Sequence, residues 1–160
     1  MAKYRIIFMV LVVVVLVFAA CRPAATQKEP YKIGMTAALT GPAAATAFPE
    51  AEGFRLYMQK LNDSGGINGR PVQLTMQDDR GEPTQAASNM RKFADMGVHI
   101  VRNTSPSATF PPTIQEAKRA NIPIVTTMVS PAEAMPPNPD PLVYMASHDM
   151  SPQSLFLSLD

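Results

Sequence analysis

Cysteine is nearly absent from this chain, since Cys21 is the only one among 160 residues. A single thiol excludes an intramolecular disulfide. An excess of one charge is absent too, because 14 Lys and Arg residues stand against 13 Asp and Glu residues, for a net charge of +1. Without a basic stripe along the chain, nucleic acid is not expected as a partner.

Motifs for catalysis are also missing. The sequence has no Gly-x-Ser-x-Gly elbow, no phosphate-binding loop and no dinucleotide fingerprint. His99 and His148 have no cysteine or paired acids at the spacing of metal ligands. Asp78 and Asp79 are adjacent, but neighbouring strand residues point to opposite faces, so we interpret the pair as a solvated strand end. We therefore predict no enzyme, no cofactor and no metal site.

The amino-terminal residues have the composition of a leader. Basic Met1–Arg5 precedes an unbroken apolar run over residues 6–18, and two alanines stand directly before Cys21. This is the anatomy of a secretory signal peptide, and the run is shorter than the roughly 20 residues of a membrane-spanning helix. Residues 1–20 are therefore predicted to be a signal peptide.

Small residues before a cysteine resemble the bacterial lipobox, whose cysteine is lipidated and becomes the first residue of the mature protein. The resemblance implies a lipid on Cys21 and a membrane-anchored protein in the cell envelope, on the periplasmic or outer side. Residues 21–30 are polar and contain proline, which is typical of a flexible tether. Two alternatives stay open: a signal peptide cleaved elsewhere, with an incidental cysteine, and an uncleaved anchor.

The rest of the chain alternates between strand and helix patterns. Apolar or alternating runs predict strands at Tyr31–Leu39, Val72–Gln77, Val98–Arg102, Ile122–Thr127 and Leu142–Met145. Amphipathic stretches predict helices at Phe48–Asp63, Thr84–Met96, Pro111–Ala120 and Ser151–Asp160. The buried face predicted for the first helix consists of Phe54, Tyr57, Met58 and Leu61. This alternation predicts an α/β fold, a doubly wound parallel sheet with helices on both faces.

The stretch Asn62–Pro83 carries the most specific signals. Gly65-Gly66 suits a helix C-cap, and Asn68-Gly69 tolerates positive φ at both turn positions. Pro83 fits a first helical position, where no amide hydrogen is needed. The order of turn, strand, acid pair and helix start resembles the branched-chain amino acid class of solute-binding proteins. These are type I periplasmic binding proteins that serve ABC importers.

The resemblance runs from about Lys32 to Gln153 and has consequences for the fold. It implies strand order 2-1-3-4-5, with Val72–Gln77 at an edge. Family members enclose their ligand between two such lobes, and no crossover to a second lobe occurs within these 160 residues. We therefore expect residues 31–160 to form an incomplete N-terminal ligand-binding lobe, with the second lobe missing.

Ligands of open parallel sheets bind beyond the carboxyl ends of the strands. Three predicted loops lie there: Thr40–Thr46, Asn103–Ser107 and Thr127–Ser130. Their hydroxyl groups and the helix starts that follow them suit a carboxylate. Family members usually carry glycine where Asn103 stands and an apolar residue where Arg102 stands.

The resemblance assigns ligand contacts by loop position. It implies hydroxyl contacts from Ser107 and Ser130 and a backbone contact from Val129. Thr46 stands where many members place an aromatic residue, and Phe48 is nearby. Serine and threonine in loops also cap helices or form turns, and this alternative stays open for both serines.

The function implied is that of an extracytoplasmic solute-binding component of an ABC importer. It would capture an amino acid or a related small polar solute by hinged closure and deliver it to a permease. One alternative is a ligand-sensing regulatory lipoprotein on the same fold, which a permease partner or solute accumulation would exclude. An enzyme on a flavodoxin-like lobe would show turnover, and a non-functional fragment would show no cooperative fold.

Overall fold

The computed structural model of the protein describes residues 28–127 and 139–146. The strands are β1 (Tyr31–Ala37), β2 (Val72–Asp78), β3 (Ile100–Asn103), β4 (Ile124–Thr126) and β5 (Val143–Met145). The helices are α1 (Ala44–Asp63), α2 (Pro83–Asp95) and α3 (Phe110–Ala120), with a 3-10 turn at Ser107–Thr109. None of the described helices combines the length and apolar content needed to span a membrane. The predicted helix Ser151–Asp160 lies outside the described residues.

The five strands form one parallel sheet in the order β2-β1-β3-β4-β5. Both the α/β doubly wound fold and the predicted strand order are thereby confirmed. β2 lies at an edge, as predicted, and pairs with β1 from Tyr31–Val72 to Ala37–Asp78. β1 has a neighbour on each side and is buried over its carboxyl half, which explains why it is apolar without alternation.

Helices α2 and α3 pack side by side on one face of the sheet. Their apolar stripes meet the side chains of the central strands, and the largest core of the lobe forms there. Six of its residues are at most 2% exposed, namely Met90, Phe93, Val101, Ile114, Ala117 and Ile124. This core fixes the positions of the loops that join β2 to α2 and β3 to α3.

Helix α1 lies on the opposite face, above β1 and β2. The apolar cluster beneath it is smaller and consists of Met35, Ala37 and Ala51, with partly buried Phe54 packed against it. One row of paired residues crosses the sheet on this face, from Met76 through Met35, Arg102 and Val125 to Tyr144. The row ends in the 53% exposed side chain of Tyr144.

Two predictions about α1 were wrong. The helix begins at Ala44 rather than at Phe48, because alanines are strong helix formers and Pro49, inside the helix, removes only one amide hydrogen bond. Tyr57 was expected on the buried face but is 60% exposed. The buried stripe instead follows the small residues near the helix start, and its members are Ala47, Ala51 and Met58.

The turn between α1 and β2 has the predicted backbone. Gly65 and Gly66 have φ of 98° and 73°, and Asn68 and Gly69 have φ of 54° and 72°. Gly66 is the most constrained of these, because a Cβ there would lie 2.2 Å from the carbonyl oxygen of Arg70. This close approach reverses the chain and starts the edge strand.

Candidate functional site

The candidate site is the carboxyl edge of the sheet, where the loops after the strands lie. Described segments reach this edge at 38–43 after β1, 79–82 after β2, 104–106 after β3 and Thr127 after β4. Because β1 lies between β2 and β3, the strand order reverses at this point. This is where open parallel sheets bind their ligands.

The loop after β1 leads into α1, and Thr46 lies in the first turn of that helix rather than in the loop. Its side chain is exposed, as is that of Phe48. The start of α1 has Ala43 at the N-cap, no side-chain cap and no acidic residue in its first turn. The positive end of the helix dipole is therefore not neutralised by the helix itself, which favours an anionic group there.

Asn103, the last residue of β3, is completely buried and anchors the loop that follows the strand. Its side-chain amide donates to the hydroxyls of Thr109 and Thr113 at 3.1 and 3.2 Å, and its side-chain oxygen accepts from the amide of Ser105 at 2.9 Å. Asn103 therefore fastens the loop to α3. Because the Asn103 side chain is buried, it does not extend into the ligand cleft, although family members usually carry glycine at this position.

Ser107 is exposed at the start of the 3-10 turn that this loop carries. Neither that turn nor α3 has a side-chain cap hydrogen bond, so Ser107 does not cap a helix in this structure. In the loop after β4, the Thr127 hydroxyl donates to the carbonyl of Asn103 at 3.3 Å. The remaining predicted residues, Val129, Ser130 and Cys21, lie outside the described residues.

The interpretation of the acid pair as a solvated strand end was wrong. Asp79 is completely buried and accepts hydrogen bonds from the hydroxyls of Thr36 and Ser105 at 2.6 and 2.5 Å and from the amide of Gly81 at 2.8 Å. Adjacent strand residues do point to opposite faces, and for that reason Asp78 and Asp79 bind different parts of the edge.

Asp78 accepts its hydrogen bonds on the side of the loop after β1. The amides of Leu39 and Arg80 donate to it at 3.0 and 2.9 Å, and both the amide and the hydroxyl of Thr40 donate as well. Burial raises the pKa of Asp78, but these hydrogen bonds outweigh burial and hold the pKa of the carboxyl below its ordinary value. Asp78 is therefore a carboxylate at neutral pH.

A polar side chain in the stripe of α2 completes this arrangement and was missed from the sequence. Asn89 is completely buried between Ala86 and Phe93 on the inner face of the helix. Its amide donates to the Thr36 hydroxyl at 3.2 Å and to the carbonyl of Asp78 at 3.1 Å. An asparagine at a core position of an apolar stripe was the available signal, since a buried amide needs partners.

Arg102 lies at the carboxyl end of β3, on the α1 side. Its guanidinium forms a 2.6 Å salt bridge with Glu50 and lies over the ring of Phe54, 4.5 Å from the centroid. Its Nε also donates to the hydroxyl of Thr104 at 3.3 Å. The arginine thus joins α1 to the loop after β3, and its charge is already paired. In the described part of the chain, His, Cys, Asp and Glu side chains form no group of three or more suited to a metal ion.

Curated relatives are similar to part of this chain in sequence. A Leu/Ile/Val-binding protein homolog 4 of Brucella abortus is 28% identical over 99 residues, which are 62% of this chain and 24% of the relative. The Leu/Ile/Val-binding protein BraC3 of Rhizobium johnstonii is 39% identical over 69 residues, which are 43% of this chain and 19% of the relative. The chain therefore spans about a quarter of the length of the curated relatives it matches.

A solved structure shares the fold. The substrate-binding protein LivJ of a branched-chain amino acid transporter from Streptococcus pneumoniae, in complex with isoleucine, superposes with a TM-score of 0.64 at 20% identity. The match covers 75% of this chain and 34% of that protein. The sequence model of the family described as periplasmic binding protein matches residues 30–157. On these grounds the chain belongs to the periplasmic binding protein family.

Proposed function

We propose that this chain is the amino-terminal ligand-binding lobe of an extracytoplasmic solute-binding protein of an ABC importer. It captures an amino acid or a related small polar solute, which a permease then receives. The observation that carries the proposal is the carboxyl edge of the sheet. There, exposed Ser107 follows a loop that buried hydrogen bonds hold in place, and exposed Thr46 lies in the first turn of α1, which has no side-chain cap.

The electrostatics of the edge favour a ligand with a carboxylate. The acid pair at the edge is already engaged, because Asp78 accepts four hydrogen bonds and Asp79 accepts three, whereas Glu82 in the same loop is exposed. Exposed donors of the described residues at this edge include the Ser107 hydroxyl, the Thr46 hydroxyl and the guanidinium of Arg80. Such groups stabilise an α-carboxylate, and the positive end of the α1 dipole attracts the same charge.

The ligand class is proposed from the relatives. Two of them carry Leu/Ile/Val-binding in their names, and the solved relative holds isoleucine. Val129 and Ser130, in the loop after β4, are proposed as the remaining contacts of this lobe. The mechanism is capture without chemistry, in which a second lobe closes over the ligand by a hinge motion and the closed form docks on the permease.

The leader is proposed to place the lobe outside the cytoplasm. Residues 1–20 direct export, Cys21 receives the lipid, and residues 21–30 connect the lipid to the lobe, which begins at residue 31. Labelling of bacteria with a radioactive fatty acid tests this arrangement. The chain should incorporate label and the Cys21→Ala variant should not, whereas equal labelling of both would contradict the anchor.

Thermal unfolding with and without ligand tests the binding function. Residues 22–160 should melt cooperatively, and L-leucine, L-isoleucine or L-valine at 100 times the dissociation constant should add about 2.7 kcal/mol to the free energy of unfolding. One lobe buries only one side of a ligand, so millimolar concentrations are needed. A cooperative melt that no amino acid shifts would contradict the proposal.

A comparison of two serine variants tests whether Ser107 contacts the ligand. Ser107→Ala should weaken binding with little change in unfolding temperature. Ser64→Ala is the matched control, because Ser64 is also exposed but lies beyond the end of α1, away from the carboxyl edge. Equal affinities of the two variants would remove Ser107 from the site.

A further inference from the structure

The last residue of β2, Asp78, and the loop 79–82 that follows it are together called the β2 loop, which lies between two segments proposed to bind ligand. A Cβ at Gly81 would lie 3.7 Å from the Cβ of Ala43, at the start of α1, and 3.6 Å from Cγ of Pro106, in the loop after β3. A Cβ at Gly41 would lie 3.3 Å from the carbonyl oxygen of Arg80. The β2 loop thus lies next to the loops on both sides, close enough for an added Cβ to touch them.

The carboxylates of Asp78 and Asp79 accept hydrogen bonds from the loops on opposite sides of the β2 loop. Asp78 binds Leu39 and Thr40 in the loop after β1. Asp79 binds Ser105 in the loop after β3, while its other oxygen accepts from Thr36 within β1. No local secondary structure requires this arrangement, since the Asp79 contacts span 26 and 43 residues of sequence.

The burial of Asp79 makes its contacts costly to break. A carboxylate loses its hydration when it is buried, and hydrogen bonds to protein donors compensate for this loss. If one donor is removed, the desolvation penalty stays but part of the compensation is lost. The loop after β3 therefore has one low-energy position relative to β1, and Ser107, two residues beyond Ser105, shares that position. A loop that is ordered before binding loses less entropy when the ligand arrives.

We propose that Asp79 is a positioning residue for ligand binding, which acts through Ser105 to hold the loop that carries Ser107. Asp78 does the same for the loop after β1, so that the β2 loop fixes the distance between the two ligand-binding loops without touching ligand itself. This inference rests on the proposed function. It adds a role in binding for the β2 loop, which is not proposed to contact the ligand.

Three substitutions test the assignment. Ser105→Ala removes one donor from Asp79. Thr36→Val removes another at nearly constant shape, and Thr36→Ser restores it. Thr36 is completely buried, so an effect of Thr36→Val on affinity cannot come from a lost ligand contact. Ile122→Val is the control for lost stability, because Ile122 belongs to the core and precedes β4, away from the carboxyl edge.

Two measurements are made on the chain. Without ligand, amide hydrogen exchange at positions 105 and 107, on either side of Pro106, should become faster in Ser105→Ala and Thr36→Val, but not in Thr36→Ser or Ile122→Val. With L-leucine, the dissociation constant should rise about fivefold or more in the first two variants because the ordering cost returns. It should stay within about twofold in the last two, as expected of uncoupled sites.

The outcomes separate this inference from the proposed function. Unchanged exchange in both Ser105→Ala and Thr36→Val would overturn the positioning role, whether or not the chain binds L-leucine. Faster exchange with an unchanged dissociation constant would also overturn it, because the loops would then be held without benefit to binding. If the unmodified chain binds no amino acid, the proposed function fails and the positioning role in binding fails with it, although hydrogen exchange would still show whether Asp79 holds the loop.

Discussion

Gly34 in β1 lies directly against the ring of Phe93 in α2, and a Cβ at Gly34 would lie 2.7 Å from Cγ of that ring. Phe93 is completely buried, so the ring has no free space into which it can move. Gly34→Ala should therefore lower the free energy of unfolding by about 1–3 kcal/mol through overpacking. Urea denaturation measures this loss.

A second glycine provides the opposite case. Gly53 lies within α1, and a Cβ there would meet nothing within 4 Å. Gly53→Ala should therefore add about 0.5–1 kcal/mol, because alanine loses less backbone entropy in a helix. A gain in stability from Gly34→Ala as well would show that the close approach of Gly34 and Phe93 does not control packing.

Acid should remove the contribution of Asp78. The pKa of this carboxyl is lowered in the folded chain, so its hydrogen bonds stabilise the fold above the ordinary carboxyl pKa. That contribution is lost as the pH falls below about 4 and through the lowered folded value. The Asp78→Asn variant should be less stable by about 1 kcal/mol at pH 7, and the difference should shrink towards pH 3.

The comparison of the unmodified chain with Asp78→Asn removes the contributions of other titrating groups. The hydrogen bond from Lys118 lowers the pKa of Asp140 in the same direction, but Asp140 is present in both proteins. The difference between the two urea midpoints, measured from pH 7 to pH 3, therefore isolates Asp78. A difference that does not change with pH would mean that the carboxylate form of Asp78 contributes nothing.

The salt bridge between Arg102 and Glu50 should contribute to the stability of the fold. Glu50→Gln leaves a partly buried cation without its carboxylate and should cost about 1 kcal/mol, a value reduced by the partial exposure of both side chains. Arg102→Met keeps packing against Phe54 and should cost less. A double-mutant cycle with urea denaturation measures the pair, and additive losses would contradict the coupling.

Asn121 ends α3 in the left-handed conformation, with φ of 53° and ψ of 42°. Asn121→Ala should cost about 1 kcal/mol, because a Cβ without a local hydrogen-bonding group disfavours this backbone. Asn121→Gly should retain or slightly raise stability, since glycine adopts positive φ without strain. Thermal unfolding compares the two variants, and a stable Asn121→Ala would show that the helix can end differently.

The sheet could be predicted because its signals are local. Short apolar runs and the turn glycines mark the elements, and the family resemblance supplied the strand order. The positive φ of Asn68 and Gly69 and the first helical position of Pro83 were confirmed for the same reason. Each of these features depends on a residue and its immediate neighbours in sequence.

The arrangement of the loops could not be predicted in this way. Nothing near Asp79 in sequence indicates that Thr36 and Ser105 will enclose it, since they are 43 and 26 residues away. Two adjacent acids after an edge strand are ordinarily exposed. Only the folded sheet shows that one of them points beneath the neighbouring loops.

The register of β1 has a consequence for the order in which the chain can fold. Its pairing with β3 begins at the hydrogen bond between Lys32 and His99, which are 67 residues apart. Because the chain emerges from the ribosome at about 5–20 residues per second, β1 waits roughly 3–13 s for this partner. The edge of β1 that faces β3 is thus made early and paired late, whereas its other edge can pair with β2 sooner. A factor that keeps the nascent chain unfolded must therefore protect the edge that faces β3 for longer.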